Sequence, residues 1–165
     1  ESIEKVASNV IKTITEENGI HLMKSEEVSR KFIFNFANHP DLALPVIATC
    51  AGLGIEGVFS GLDNLRLKES DRLEALFTEL TRTGFKLDLS ENILTTYGDQ
   101  PERTLSEATQ MVFHSYDDHR MAMALAPLAL LGLPVTIDNP GVVSKSYPAF
   151  WEHLEQTGCF ELERT

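Results

Sequence analysis

The chain has 165 residues, 42% of them hydrophobic, and its 25 Asp and Glu outnumber its 14 Lys and Arg, which gives a formal net charge of −11. This length and apolar content predict a single domain with one sizeable core. The acidic balance and the lack of a basic stripe argue against nucleic acids and anionic membranes as partners.

The first part of the chain predicts the end of a helix over residues 2–8 and then a hairpin, because the strand-like runs VIKTIT and IHLMK flank the turn-forming EENG. A complete unit follows: strand KFIFNF, helix DLALPVIATCAGLG, strand IEGVFSG and helix SDRLEALFTELTRTG. Ser70 or Asp71 is expected to cap the second helix, and Gly84 to end it. A second hairpin, in which FKLDL and ILTTY flank SEN, closes the unit.

The same order of elements returns in the second half. MVFHS predicts a strand, RMAMALAPLALLG a helix, PVTID a strand and SYPAFWEHLEQTG a second helix, and CFELE is expected to open a final strand. This layout is an internal repeat: residues 32–98 form one unit, residues 110–165 form another with an incomplete hairpin, and residues 1–31 are the tail of a preceding unit. Strands joined through helices predict an α/β fold with parallel strands.

The repeat also predicts that the chain is a fragment. Repeated units bury their faces against their neighbours. A chain that begins within one unit, on Glu1 rather than Met, and stops within another is therefore expected to be a piece of a longer protein.

The two cysteines predict a reducing environment. Cys50 lies in the apolar run PVIATCAGLG, which predicts a buried thiol, and Cys159 is distant from it in sequence. With no leader segment and no apolar run of membrane-spanning length, the expected location is cytoplasmic. The histidines show no zinc-like spacing with these cysteines, so no metal site is expected.

The chemically distinctive residues fall in four loops, each after a strand and at or just before a helix start. These loops carry Asp41 in NHPD, the run NLRLKESDR, the run YDDHR with His119 and Arg120, and Lys145 in VVSKSYP. Loops on one side of a parallel sheet, beside helix N-termini, offer backbone N–H groups and a positive dipole to an anion.

The side chains in these loops indicate a small anionic substrate. Arg72, Arg120 and Lys145 are three cations that can hold a carboxylate or a phosphate. The acid and base candidates are Asp41, Glu69 and His119. The combination indicates group transfer involving phosphoenolpyruvate or a similar compound, in which positioning and charge stabilisation lower the barrier.

Each of these residues also has a structural explanation when taken alone. Asp41 could cap a helix, Glu69 and Arg72 could form a solvated ion pair, His119 could be a hydrogen-bonded structural histidine, and Lys145 could be an ordinary surface lysine. The placement of all four loops on one rim favours the functional interpretation.

Three segments resemble a known family. NLRLKESDRL resembles the signature of the 5-enolpyruvylshikimate-3-phosphate synthase family, YDDHRMAMALAPLAL resembles its second signature, and NPGVVSKSYPAFWEHL resembles the segment with its late lysine. The resemblance spans residues 41–158. It implies an incomplete C-terminal domain of repeated βαβαββ units, in the inside-out α/β barrel fold of enolpyruvyl transferases.

The resemblance implies a reaction. The enolpyruvyl group of phosphoenolpyruvate would pass to the 5-hydroxyl of shikimate 3-phosphate by addition and elimination, with release of phosphate. Arg72, Arg120 and Lys145 would hold phosphoenolpyruvate, and His119 would assist beside them.

The resemblance also implies the remaining roles. Asp41 would accept a hydrogen bond from the attacking hydroxyl and deprotonate it, and Glu69 would serve proton transfer at the methylene carbon. Asn64 and Lys68, together with Asp41, would contact shikimate 3-phosphate. No metal or organic cofactor is implied.

Several segments of that family do not occur in the chain. An early lysine and serine pair, a glycine-rich segment and a serine-glutamine segment belong to the family's N-terminal domain, which is therefore the expected partner. The isolated chain is expected to bind its substrates weakly and not to turn over. Two alternatives remain: a UDP-N-acetylglucosamine enolpyruvyl transferase, whose signatures differ from KESDR and DHRMAM, and a non-catalytic anion-binding module on the same fold.

Overall fold

The computed structural model describes residues 11–16, 19–24, 31–98 and 110–163. The strands are β1 (Ile11–Glu16), β2 (Gly19–Lys24), β3 (Lys31–Asn35), β4 (Glu56–Ser60), β5 (Leu87–Ser90), β6 (Ile93–Thr96), β7 (Met111–Phe113) and β8 (Val135–Ile137). The α-helices are α1 (Ala43–Leu53), α2 (Arg72–Arg82), α3 (His119–Leu125) and α4 (Phe150–Gln156). Short 3-10 helices cover Pro40–Leu42, Asp63–Leu67, Ala126–Leu131 and Pro140–Lys145.

The first hairpin is confirmed. Strands β1 and β2 pair antiparallel, with Ile11 opposite Lys24 and Glu16 opposite Gly19. The helix end expected over residues 2–8 and the turn residues 17–18 lie outside the described residues.

The first unit has the predicted order of strand, helix, strand, helix and hairpin. Its sheet has the strand order β3-β4-β6-β5, in which β3 and β4 are parallel, with Phe34 opposite Phe59. Strand β6 runs antiparallel to both β4 and β5. Helix α1 thus connects two neighbouring parallel strands, as the sequence predicted.

The second unit repeats the beginning of this pattern in a separate sheet. Strands β7 and β8 are parallel, with Phe113 opposite Ile137. The single helix predicted for RMAMALAPLALLG is wrong in its length, because α3 ends at Leu125 and continues as a 3-10 helix over Ala126–Leu131. Pro127 explains the change, since a proline has no N–H to donate to the preceding turn.

The end of the chain differs from prediction in two places. The helix expected from Ser146 begins only at Phe150, because Pro148 disfavours helical backbone in the preceding Tyr147. The strand expected over CFELE is not formed between Cys159 and Glu163. A strand requires a partner for its backbone groups, and neither β7 nor β8 pairs with this stretch.

One hydrophobic core joins the two units, and α1 lies at its centre. Helix α1 packs against both α2 and α3. It is apolar around most of its circumference, and its small buried residues Ala43, Ala48 and Ala51 allow neighbouring helices to approach. A side chain at Gly52 would lie 2.9 Å from the Leu128 side chain. Through this packing, α2 of the first unit and α3 of the second lie on the same hydrophobic core.

Cys50 is part of this core, as predicted. It is 6% exposed, and burial raises the pKa of its thiol from 9.0 to about 12. Among the described residues, no helix combines the length and the hydrophobicity needed to cross a membrane.

Candidate active site

A buried ion pair joins the starts of α2 and α3. Asp71 caps α2 by accepting a hydrogen bond from the Glu74 N–H at 3.0 Å. The next residue, Arg72, is 2% exposed, and its Nε and Nη2 donate to the two oxygens of Asp118 at 2.7 and 3.2 Å. The two helices are therefore connected by one guanidinium and one carboxylate.

Asp118 is the central acid of this region, although it was not singled out from the sequence. It is fully buried and caps α3 by accepting from the Arg120 backbone N–H at 2.9 Å. Burial alone would raise the pKa of Asp118, but the hydrogen bonds from Arg72 and the Arg120 N–H and the charge of Arg72 lower it below 3.8. An aspartate directly before a helix start is the sequence signal for such a cap.

Glu69 extends the pair toward solvent. Its Oε2 lies 2.6 Å from Arg72 Nη2, and 48% of its side chain is exposed. Arg72 therefore bridges a buried and an accessible carboxylate. Its remaining nitrogen, Nη1, has no hydrogen-bond partner among the described residues. The role of Arg72 as a phosphoenolpyruvate ligand stays a prediction that depends on this nitrogen.

Asp41 and Arg120 form a second, more open pair. Arg120 Nη2 lies 3.0 Å from Asp41 Oδ2, and Nη1 donates to the Asp41 carbonyl at 3.4 Å. Asp41 lies in the 3-10 helix Pro40–Leu42, and its side chain caps neither this helix nor α1. The structural alternative of a capping aspartate is therefore wrong.

Lys145 attaches the fourth loop to the third. Its Nζ donates to the Asp117 carbonyl at 3.0 Å. The backbone of Asp117 and of the preceding Tyr116 is left-handed, with φ of 54° and 55°. For residues other than glycine such backbone costs about 1–3 kcal/mol each and is typical of functional sites. The Asn139 side chain supports the loop by donating to Asp117 Oδ1 at 2.6 Å.

His119 is buried next to these pairs with an unsatisfied ring nitrogen. The residue is 8% exposed, and its Nδ1 has no hydrogen-bond partner among the described residues. Asp118 Oδ1 lies 4.0 Å from this nitrogen, beyond hydrogen-bond range. Within the described part of the chain, His119 Nδ1 therefore does not make the hydrogen bond that is expected of a structural histidine.

Asn64 and Lys68 lie outside this network. Both are exposed, and neither side chain has a hydrogen-bond or ion-pair partner in the part of the chain that the structure describes. Their loop is held by Arg66, which the sequence did not single out. Arg66 donates to Asn92 Oδ1 at 2.8 Å, to Asp71 Oδ2 at 2.9 Å and to the Glu91 carbonyl at 3.0 Å.

The four loops therefore meet, but not on the rim of a single parallel sheet as predicted. They follow strands of two separate sheets, and the Arg72–Asp118, Arg120–Asp41 and Lys145–Asp117 contacts connect them. The result is a cluster in which cations, carboxylates and an imidazole lie beside two helix N-termini. Such a cluster can bind an anion and move a proton. Among the described residues no three His, Cys, Asp or Glu side chains group as a metal site would require.

Comparison with known proteins gives a consistent answer. The family model of EPSP synthase (3-phosphoshikimate 1-carboxyvinyltransferase) matches residues 1–154. A 3-phosphoshikimate 1-carboxyvinyltransferase of Bacteroides fragilis is 42% identical over 143 residues, which is 86% of this chain and 34% of the relative. Another from Aliivibrio fischeri is 39% identical over 127 residues, covering 76% of this chain and 28% of the relative.

The fold is also found in a solved structure. The EPSP synthase of Acinetobacter baumannii superposes with a TM-score of 0.58 at 21% identity, over 88% of this chain and 35% of that one. This likeness confirms the α/β fold class expected from the sequence. The chain spans about a third of the length of the relatives that it matches.

Proposed function

The chain belongs to the EPSP synthase (3-phosphoshikimate 1-carboxyvinyltransferase) family, and on this basis we propose that it supplies the phosphoenolpyruvate side of the active site of such an enzyme. The proposed reaction transfers the enolpyruvyl group of phosphoenolpyruvate to the 5-hydroxyl of shikimate 3-phosphate. The rest of the site belongs to an N-terminal domain of the same cytoplasmic enzyme. The family resemblance of the three sequence segments is confirmed by the family match.

The observation that carries the proposal is the ion pair between Arg72 and Asp118. It joins the first family-like segment, NLRLKESDRL, to the second, YDDHRMAMALAPLAL, across the boundary between the two units. The two paired residues lie 46 positions apart in sequence. Their meeting at the starts of two helices supports a shared anion site.

The roles follow from accessibility and chemistry. Arg120 and Lys145 keep accessible side chains and hold the carboxylate and phosphate of phosphoenolpyruvate, with Nη1 of Arg72 as a third donor. Asp41, held by Arg120, accepts the proton of the attacking hydroxyl. Glu69 delivers a proton to the methylene carbon, and the hydroxyl oxygen then bonds to the cationic carbon.

The tetrahedral adduct then loses phosphate. The methyl group formed in the first step returns its proton to Glu69, the double bond forms again and the carbon–oxygen bond to phosphate breaks. His119 assists beside the leaving phosphate, and Asn64 and Lys68 contact shikimate 3-phosphate. No step requires a metal or an organic cofactor.

The proposal is preferred to its two alternatives. The match to the EPSP synthase family does not favour a UDP-N-acetylglucosamine enolpyruvyl transferase. A non-catalytic module would need cations but no proton-transfer groups, and Asp41, Glu69 and His119 are all present.

A chimera tests the proposal directly. The residues of this chain replace the matching segment of the Bacteroides fragilis relative, and phosphate release is measured with phosphoenolpyruvate and shikimate 3-phosphate. We expect activity, and we expect Glu69→Gln to lower kcat roughly 100-fold to 10,000-fold because a proton-transfer group is lost.

Glu74→Gln is the matched control, because Glu74 is an exposed carboxylate on α2. It should leave kcat within about twofold, as surface substitutions usually do. A folded chimera that releases no phosphate, or a Glu69→Gln variant as active as the Glu74→Gln variant, would contradict the proposal.

A further inference from the structure

Glu79 is a buried carboxylate on α2 that takes no part in the site described above. Only 1% of it is exposed. It lies about two helical turns after Arg72, at a distance of roughly 10 Å along the helix axis. Removing a carboxylate from water is unfavourable unless its oxygens accept hydrogen bonds. The contacts of Glu79 therefore show what its burial achieves.

Most of the donors to Glu79 come from the second unit or reach into it. Oε1 accepts from the Tyr116 hydroxyl at 2.9 Å, and Oε2 accepts from the His114 backbone N–H at 3.0 Å. Arg82 pairs with Oε2 from the same helix and also donates to the Val112 carbonyl at 2.6 Å. Glu79 thus ties α2 to residues 112–116 of the other unit.

These residues lead directly into the site. Tyr116 and Asp117 have left-handed backbone, and Asp118, His119 and Arg120 follow them. Such backbone persists only where surrounding contacts determine it. Asp138, directly after β8, also contacts this segment: it accepts from the Ser115 N–H at 2.6 Å and lies 2.7 Å from Nδ1 of the His114 ring. The segment is therefore held by two carboxylates, one from each unit.

We propose that Glu79 is a positioning residue for the phosphoenolpyruvate side of the site. It holds the segment 114–120 in the register that places Asp118 against Arg72 and Arg120 beside Asp41. Helix α2 is attached to this segment at two points, through Arg72 at its start and through Glu79 two turns later. A single attachment would leave the segment free to turn about that contact, whereas two attachments fix it. The identity of the ligand rests on the function proposed above.

The test uses the chimera described above, which carries the residues of this chain within the Bacteroides fragilis relative, and three variants of it. Glu79→Leu removes both acceptor oxygens at similar size, and Glu79→Gln keeps an oxygen that can accept from the His114 N–H but loses the charge. Glu74→Leu is the matched control, because it replaces an exposed carboxylate on the same helix. Amide hydrogen exchange is measured over residues 114–120, and phosphoenolpyruvate is titrated by NMR.

We expect amide exchange over residues 114–120 to become roughly tenfold faster in Glu79→Leu, because local opening is no longer opposed. The Kd for phosphoenolpyruvate should rise by about tenfold in the same variant, since the cations are displaced from their binding geometry. Glu79→Gln should show smaller changes of both kinds, and Glu74→Leu neither.

Two results would overturn the inference. One is unchanged exchange over residues 114–120 in both Glu79 variants. The other is faster exchange with an unaltered Kd, because Glu79 would then be structural only. If Glu79→Leu does not fold, amide exchange over residues 114–120 and the Kd for phosphoenolpyruvate are compared between Glu79→Gln and the parent protein instead. A parent chimera whose amides do not shift with phosphoenolpyruvate contradicts the proposed function instead, so the two failures are distinguishable.

Discussion

Asp118 and Arg72 show how much a single buried pair determines in this protein. Both are almost inaccessible to solvent, with exposures of 0% and 2%. A buried ion pair adds little net stability compared with apolar residues, but loss of one partner leaves an uncompensated charge. The pair therefore acts mainly as a specific connection between the starts of α2 and α3.

Asp118→Asn should lower the free energy of unfolding by about 3 kcal/mol at neutral pH, because Arg72 is then buried without a counter-charge. The pKa of Asp118 is depressed below 3.8, so its ionised form stabilises the fold above that value. This stabilisation is lost as the pH falls through the lower pKa of the folded state. The difference between wild type and variant should therefore shrink below about pH 4.

Urea unfolding at several pH values measures this difference. Asp88→Asn is the control, since Asp88 is an exposed aspartate on β5, and we expect it to change stability by less than about 0.5 kcal/mol. A difference between wild type and Asp118→Asn that stays constant down to about pH 2 would show that the charge of Asp118 is not its cause.

At the scale of elements, local backbone rules explain both the agreements and the errors. The first unit contains every predicted element. Buried and more exposed residues alternate along its strands, α2 has a capping aspartate, and glycines follow both helices. The errors fall at Pro127 and Pro148, where an apolar helical pattern continues through a residue that changes the backbone. At these two positions the proline, and not the hydrophobic period, decides the backbone conformation.

Two glycines allow the cost of backbone strain to be distinguished from the cost of a steric clash. Gly84 after α2 and Gly61 after β4 both have positive φ, 92° and 68°. A Cβ on Gly84 meets nothing within 4 Å, whereas one on Gly61 would lie 2.5 Å from the Ala37 backbone nitrogen. Gly84→Ala should therefore cost about 1 kcal/mol from strain alone, and Gly61→Ala about 3 kcal/mol or more.

Thermal and urea unfolding of the two variants would test this order. Gly141→Ala serves as the control, because Gly141 does not have a positive φ and its Cβ would meet only an Asn139 oxygen at 3.9 Å. Equal losses for Gly61→Ala and Gly84→Ala would mean that the first unit relaxes around the Ala37 contact.

At the scale of the molecule, the site is assembled between units rather than within one. Each unit contributes two of the four loops, and the common core around α1 sets their relative position. Arg120, Lys145 and Glu69 keep accessible side chains, and in the enzyme proposed above a further domain would close over the ligand beside them. Such closure would exclude water and strengthen the electrostatic interactions inside the site.

We expect the isolated chain to release no phosphate above background from phosphoenolpyruvate and shikimate 3-phosphate. The reason is that the proposed site holds only the phosphoenolpyruvate side, so the attacking hydroxyl is not positioned. A coupled phosphate assay checks this, with the active chimera as the positive control. Turnover by the isolated chain at the rate of the chimera would show that this part of the enzyme is sufficient.

Sequence alone determined the α/β class, the repeated order of elements and the family, because these depend on hydrophobic period, capping residues and long charged motifs that are local in the chain. It also named Arg72, Arg120 and Lys145, the cations of the three contacts that connect the loops. It did not identify Asp118, Arg66 or Glu79 as organising residues, since an acid or arginine that is buried by a distant partner looks like any other charged residue in the sequence.

Only the tertiary structure decided how the four loops meet. They come from two sheets, and α1, packed between α2 and α3, brings them together. The partner of each buried charge is likewise a tertiary property, because Arg72 and Asp118 are 46 positions apart. The sequence fixes which groups are present, whereas burial and contact depend on the packing of the whole core, which no local pattern encodes.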